Sequence, residues 1–266
     1  MKRREFLKTS LTASAVTGLS AATMNAQSVI NPGPGREYYE LRIYRLEQGA
    51  DQELVDGYLE KAAIPALNRL SIKPIGVFTE KEAKEPAIYV LIPYPFLESF
   101  ASAATRMNAD GEYQKAAADY LQRPKTKPGF KRIDSWLLLA FAGMPKLELP
   151  SYCREKKPRL FELRTYDSYS EAKAAKKVEM FNSGEIDVMH EVGLAPIFYG
   201  QGLIGPDLPH LTYMTSGENE EVHKKHWDGF GKHPVWVKLK DDPQYADTVI
   251  MPINKKMLVP TPYSQI

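Results

Sequence analysis

The chain has one cysteine, Cys153, among its 266 residues. An internal disulfide is therefore excluded, and so is a metal centre built on a cysteine cluster. Nothing beside Cys153 marks it as an activated nucleophile. A block of basic charge is also missing: the 35 Lys and Arg are set against 33 Asp and Glu, leaving a net charge of +2. Nucleic-acid binding rests on a dense positive face, so no nucleic acid is expected as partner. A phosphate-cradling loop is lacking. Gly200, Gly202 and Gly205 in "YGQGLIGP" have a glycine-rich spacing, but Pro206 follows where a helix would have to begin, so the segment reads as a turn. No Ser-His-Asp pattern can be placed. Nor is there a long apolar run. The weakly apolar stretch from Leu11 to Met24 is too short to cross a bilayer.

That stretch follows Arg3, Arg4, Phe6, Leu7 and Lys8, a pattern resembling a twin-arginine export signal. Residues 1–27 are accordingly expected to direct export to an extracytoplasmic or periplasmic location. Met24 departs from the small residue preferred near a cleavage point at Ala26. After cleavage no stable membrane insertion is expected. "NPGPGREYY" then reads as a linker over 28–35, because Pro and Gly oppose regular structure.

The rest of the chain repeats itself. "YYELRIYRL" from Tyr38 matches "LFELRTYDS" from Leu160, placing Glu40 on Glu162 at an offset of 122. "IPALNRLSIKPIGVF" from Ile64 matches "IDVMHEVGLAPIFYG" from Ile186 at the same offset, so Pro74 falls on Pro196. Tyr89 lies near Tyr213 and Tyr113 near Trp236 as the register drifts. Order and spacing held over such a distance indicate two copies of one unit. The boundaries are set at 36–145 and 158–266, with the Pro- and charge-rich 146–157 as linker.

Each copy carries the same periodicities. In the first, alternation predicts a strand over 38–46. Leu54, Tyr58, Ala62 and Leu67 predict a helix over 51–70, which Pro65 should kink or end. Two short strands, two helices and a closing strand at "RIDSWLLLAF" follow. The second copy predicts strand 159–167, helix 170–192, strands 194–200 and 210–215, helices 218–230 and 233–240, and strand 247–258. The order β-α-β-β-α-β defines an α+β, ferredoxin-like unit. Two such sheets can bury their bare faces against each other, giving an intramolecular pseudo-symmetric α/β barrel.

The segments "YELRIY", "FELRTYDSYSEA", "VEMFNSGEI", "GPDLPHLTYM" and "VPTPYSQI" resemble bacterial NIPSNAP-domain proteins in their tandem form, over about residues 36–266. The resemblance implies the dimeric α/β-barrel superfamily, whose members include small monooxygenases, haem-binding enzymes and non-catalytic stress proteins. It implies no particular reaction, cofactor or catalytic residue. A fold shared by so many chemistries is a weak guide to function.

Candidate chemistry comes from the repeated strands. Glu40, Arg42 and Tyr44 share one face, with Tyr39, Leu41 and Ile43 on the other; Glu162, Arg164 and Tyr166 repeat the polar set. The apolar side is expected to pack on the helices and the polar side to face the barrel interior. There the two sets would line one cavity. Buried charges must be paired or serve a ligand, so the sets are either structural ion pairs or a site for a small molecule, with Arg42 and Arg164 as anchors for an anionic group. An alternative is a cofactor-independent monooxygenase-like enzyme, with Glu40 or Glu162 as a base whose pKa burial raises. A third is a structural or interaction protein with a filled interior; self-association is left open. No cofactor is expected.

The stretch "VHKKHWDGFGKHPVWVKL" gathers His223, His226 and His233. A metal site is not expected there: Trp227 and Phe230 mark an apolar stripe, Lys224 and Lys225 would repel a cation, and the first copy has no histidine at this place. Trp236 and Tyr113 read as core anchors, and His190 as a cation at a helix C-terminus.

Overall fold

The structure, a computed structural model, describes residues 35–47 and 52–266. The expected signal at 1–27 and nearly all of the 28–35 linker lie outside the described residues. The first half contributes β1 (Tyr38–Arg45), α1 (Gln52–Tyr58), a π-helical turn (Leu59–Ala63), α2 (Ile64–Arg69), β2 (Gly76–Glu80), β3 (Ala87–Tyr94), α3 (Leu97–Asn108), α4 (Gly111–Ala116), α5 (Ala118–Leu121) and β4 (Arg132–Ala140). After α6 (Ser151–Arg154) come β5 (Leu160–Asp167), α7 (Glu171–Met180), a second π turn (Phe181–Glu185), α8 (Ile186–Glu191), β6 (Pro196–Ile204), β7 (His210–Gly217), α9 (Glu220–Lys232), α10 (Pro234–Lys240), a 3-10 turn (Pro243–Tyr245) and β8 (Asn254–Pro260).

All strands join one closed antiparallel barrel in the order β1-β3-β2-β8-β5-β7-β6-β4. Within each half the last strand lies beside the first, then the third, then the second. The halves meet at two seams, β2 with β8 and β4 with β6.

The facing expected for the repeated strands is inverted. Tyr39, Leu41 and Ile43 point into the barrel, where they pack with Phe78, Phe161, Leu163, Phe198, Met214 and Leu258 from the other strands. Glu40, Arg42 and Tyr44 lie on the outer face under the helices, with Tyr44 packed among Val55, Tyr58 and Leu59. The physical reason is access to water. The middle of a closed barrel has no route to solvent and takes the uncharged face. The helix-covered side opens at the surface, where Arg42 keeps 31% of its side chain exposed.

Pro65 does not end its helix, which runs on to Arg69. It sits in the first turn of α2, just after the π turn whose closing bond runs from Ile64 N–H to Leu59 O. A proline is tolerated in a first turn because its missing N–H has little to bond to there. The second half has the same π turn 122 positions on, closed by Ile186 N–H to Phe181 O. Two further corrections are local. β6 runs through Gly200 and Gly202 to Ile204, and the turn begins only at Gly205. β8 begins at Asn254 rather than near 247, because Asp247 is held at a positive φ of 54° after the 3-10 turn.

The segment joining the halves is packed. Leu147, Leu149 and Tyr152 lie against the barrel interior and Cys153 is buried in it. Tyr152 and Ser216 hydroxyls meet at 2.9 Å, and the C-terminal Ile266 is fully buried nearby. These groups close the barrel end where β1 and β5 begin. Burial pushes the Cys153 thiol up to about 11, so it is an inert core residue.

Candidate functional site

Each copy of the "ELRxY" strand builds its own site, and the two sets do not line one cavity. In the first half, Glu40 is buried and fully engaged. Its Oε1 accepts from Arg42 Nε at 2.9 Å and from Ser135 Oγ at 2.7 Å; its Oε2 accepts from Tyr94 Oη at 3.1 Å. Burial works to lower the Arg42 pKa, but Glu40 and Tyr44 together hold its guanidinium above the ordinary range. Arg42 Nη2 also lies 2.8 Å from Glu40 Oε1, and Nη1 donates a long bond to Tyr44 Oη at 3.4 Å, so one hydrogen on each terminal nitrogen remains available. These residues floor a cavity of about 360 Å³ between the sheet and α1 to α4. Its walls are mainly apolar, including Leu59, Ala63, Ile92, Ala104 and Met107, with the Tyr58 and Tyr113 hydroxyls bonded to each other at 3.1 Å.

The second half fills the same space. By strand register, Ile92 opposite Glu40 corresponds to Thr215 opposite Glu162, so Tyr94 corresponds to Gly217. The next helix begins after Phe96 in one half and Asn219 in the other, which puts His223 in the place of Phe100 and Trp227 in the place of Ala104. The π turns put Phe181 on Leu59 and Glu185 on Ala63. His223 stands over the bare Gly217, where a Cβ would come within 2.9 Å of the His223 Cβ. From there its Nε2 lies 2.9 Å from Glu162 Oε2, taking the role of the absent tyrosine hydroxyl. Trp227 Nε1 donates to the same oxygen at 2.6 Å, and the Arg164 guanidinium lies 4.0 Å from the centre of the Trp227 ring. Burial works to raise the Glu162 pKa, but His223, Arg164 and Trp227 together hold it below the ordinary carboxylate range.

Deeper in this layer, Lys177 and Glu185 form a buried pair at 2.7 Å, the ammonium ringed by Phe181, Trp236 and Tyr166. Burial dominates at Glu185 and keeps its carboxyl above the ordinary range despite Lys177. Tyr166 is core, its hydroxyl 2.8 Å from that of Tyr213 and its pKa pushed up to about 12 by burial. Glu162 and Arg164 border an open surface groove with Lys255 and Lys256.

The three clustered histidines do three separate things. His223 serves Glu162, His226 packs against Gly193, and His233 caps α10 by accepting from Val235 N–H at 3.3 Å. His190 is exposed in the last turn of α8. Among the described residues, no three His, Cys, Asp or Glu side chains come together as metal ligands, and no helix is long and apolar enough to cross a membrane.

Sequence reasoning named Glu40, Arg42 and Tyr44 but missed Tyr94 and Ser135, and it missed the small residues that hollow the cavity. A signal for the latter was present: Ala63 and Ala104 stand where the other copy has Glu185 and Trp227.

A closed eight-stranded barrel wrapped in helices, hollow beneath the helices of one half and filled in the other, defines an α/β-barrel protein of internally duplicated design. The chain belongs to the NIPSNAP family, whose model matches residues 39–129 and 161–265. No curated protein matches the sequence significantly. Two solved structures named "putative monooxygenase" share the fold. One, from Fusobacterium nucleatum, is 8% identical with a TM-score of 0.56, covering 85% of this chain and 93% of its own. The other, from Lactobacillus acidophilus, is 10% identical with a TM-score of 0.54, covering 85% and 94%. An uncharacterised NIPSNAP-like domain protein from Burkholderia xenovorans is 20% identical with a TM-score of 0.36, covering 40% of this chain and 89% of its own.

Proposed function

We propose that the protein binds a small, mainly apolar molecule bearing one anionic or hydrogen-bond-accepting group, in the helix–sheet cavity of its first half. The observation that carries this reading is the asymmetry between the copies. One retains a sheltered cavity of about 360 Å³ over a Glu-Arg-Tyr floor, where the other places Trp227, Phe181 and a buried ion pair and leaves Glu162 and Arg164 on an open surface groove of about 770 Å³. That volume is in the range of ligand pockets, roughly 300–1,000 Å³. Arg42 would hold the polar group through its free guanidinium hydrogens, with Glu40 fixing its orientation. This moves the site from between the two sheets to beneath the helices, and it leaves Glu162, Arg164 and Tyr166 in structural roles.

In this reading each half is a ferredoxin-like unit, and the 1–27 segment exports the folded protein. An oxygenase using Glu162 as base is disfavoured, since a carboxylate stabilised as its anion is a weak base. Glu40 has hydrogen-bond donors on both oxygens. Likeness to proteins named as monooxygenases at 8% and 10% identity concerns the fold alone.

The test is native mass spectrometry of the purified protein, followed by thermal-shift screening with apolar carboxylates. A ligand should bind wild type, be lost on Arg42→Met, and be excluded by Ala104→Trp, which imports the tryptophan of the other half. Binding that survives both substitutions would place the site elsewhere. Turnover of the ligand with oxygen would instead support the enzymatic reading.

A further inference from the structure

The barrel end opposite the packed linker is polar, and the helix–sheet cavity has no part in it. Here β1, β3, β4, β5, β7 and β8 surround an interior hollow of about 130 Å³. Two glycines of β6 leave side-chain space beside it. Gly200 and Gly202 present no side chains, and a Cβ on Gly202 would come within 2.9 Å of His210 Nε2. Bulk water occupies about 30 Å³ per molecule, so the hollow suits a molecule of a few heavy atoms.

Its polar lining is unbalanced. Arg45 is already bound to Asp134 at 2.8 Å, and Lys256 to Glu80 at 2.9 Å. Asp167 and Asp207 also face the hollow, and neither is in an ion pair among the described residues. The Oδ1 atom of Asp167 is buried with no hydrogen-bond partner. So is Nε2 of His210, a residue only 2% exposed. His210 Nδ1 lies 3.3 Å from Thr212 Oγ1, which is 3.0 Å from Thr165 Oγ1. With the His210 proton on Nδ1 and donated to Thr212, Nε2 is left as an acceptor. Burial depresses the His210 pKa and so favours the neutral ring that this needs. A buried acceptor without a donor is costly and is rare in folded proteins. Tyr89 and Trp136 supply aromatic wall, and aromatic faces attract organic cations.

We propose that this barrel mouth binds a small protonated amine, an ammonium group donating to Asp167 Oδ1 and His210 Nε2, with Asp207 in the Gly205–Pro209 turn adding charge at the rim. Trp136 Nε1 donates to Pro206 O at 3.1 Å and steadies that turn. The site is separate from the helix–sheet cavity and does not depend on it.

The probes are ammonium, methylamine, ethylamine and ethanolamine as hydrochlorides, with acetate and formate as sodium salts, titrated calorimetrically into the whole chain at matched ionic strength. An amine should bind wild type, bind about tenfold more weakly to Asp167→Asn because one charged hydrogen bond is lost, and bind Ala104→Trp unchanged. Asp207→Asn, at an exposed turn that does not threaten folding, should weaken binding severalfold. Gly202→Ala should weaken it by crowding His210. Binding of acetate or formate in place of the amines would overturn the proposal in favour of an anion held by Arg45 and Lys256. Absence of any binding, or amine affinity unchanged in both aspartate variants, would overturn it outright.

Discussion

A lysine and a glutamate sealed together beneath α7 and the second π turn illustrate how one residue pair can be expensive to break and cheap to replace. Removing a single partner of a buried pair leaves an uncompensated charge and costs about 3–5 kcal/mol, whereas apolar substitutes of similar volume are often neutral. Lys177→Met alone and Glu185→Leu alone should each destabilise markedly in urea unfolding. The double variant should recover most of the loss, because the first half already works with Val55 and Ala63 at these positions. The two perturbed glutamates also set opposite pH slopes. Glu185 binds its proton more tightly folded than unfolded, so its contribution falls as pH rises from the unfolded value through the folded one. Glu162 is held low, so its contribution is present above the unfolded value and disappears as pH falls through the folded one. Urea midpoints measured between about pH 4 and 7 should show the high-pH decline flattened in the Lys177→Met, Glu185→Leu double variant. The acid-side decline should be weakened in His223→Gln.

At the scale of elements, the sequence made the strands and helices visible and hid which way the strands face. Alternation of Glu40, Arg42 and Tyr44 with Tyr39, Leu41 and Ile43 fixed β1 correctly as a strand. Both of its faces are covered, one by the barrel interior and one by helices, so period-two patterning could not decide which side was which. The charged face went where a long side chain can still reach water. The π turns were not legible either, because a one-residue slip in helical hydrogen bonding leaves the apolar stripe nearly intact. What the repeat did disclose was correspondence. His223 was set against a helix without histidine, and the structure resolves that difference as an exchange: Tyr94 bonds Glu40 from the strand, and His223 bonds Glu162 from the helix over Gly217. Gly217→Ala should therefore push α9 outward and cost about 1–3 kcal/mol by overpacking, read as a lower unfolding midpoint. Tyr94→Phe should cost about 1 kcal/mol by removing one buried hydrogen bond and should leave the helix layer in place.

For the whole molecule, the two seams matter most. Each half's sheet buries its inner face mainly against the other, and the interior cluster draws on every strand from β1 to β8. The protein should unfold in one transition rather than two, checked by coincidence of fluorescence and circular dichroism curves. Residues 36–145 and 146–266 produced as separate chains should self-associate when alone and combine one-to-one when mixed, which light scattering after size-exclusion chromatography would reveal. The tandem arrangement and its closure were legible from the 122-residue repeat. The stopper formed by Leu147, Leu149 and Cys153 was not, because a Pro- and charge-rich composition reads as a tether. The proposed export is tested at this scale too: if residues 1–27 direct it, replacing Arg3 and Arg4 by Lys should retain the protein in the cytoplasm, judged by fractionation.

The inequality of the two helix layers has a meaning beyond the proposed ligand binding. In a barrel assembled from two identical subunits, any mutation that plugs one pocket plugs both, and any that opens one weakens both. Joining the copies in one chain removes that constraint. One copy is free to accumulate tryptophan, phenylalanine and an internal ion pair as ballast, while its sister keeps alanines and a vacancy. Duplication here is a division of labour, with one half carrying the structural burden so that the other can stay hollow.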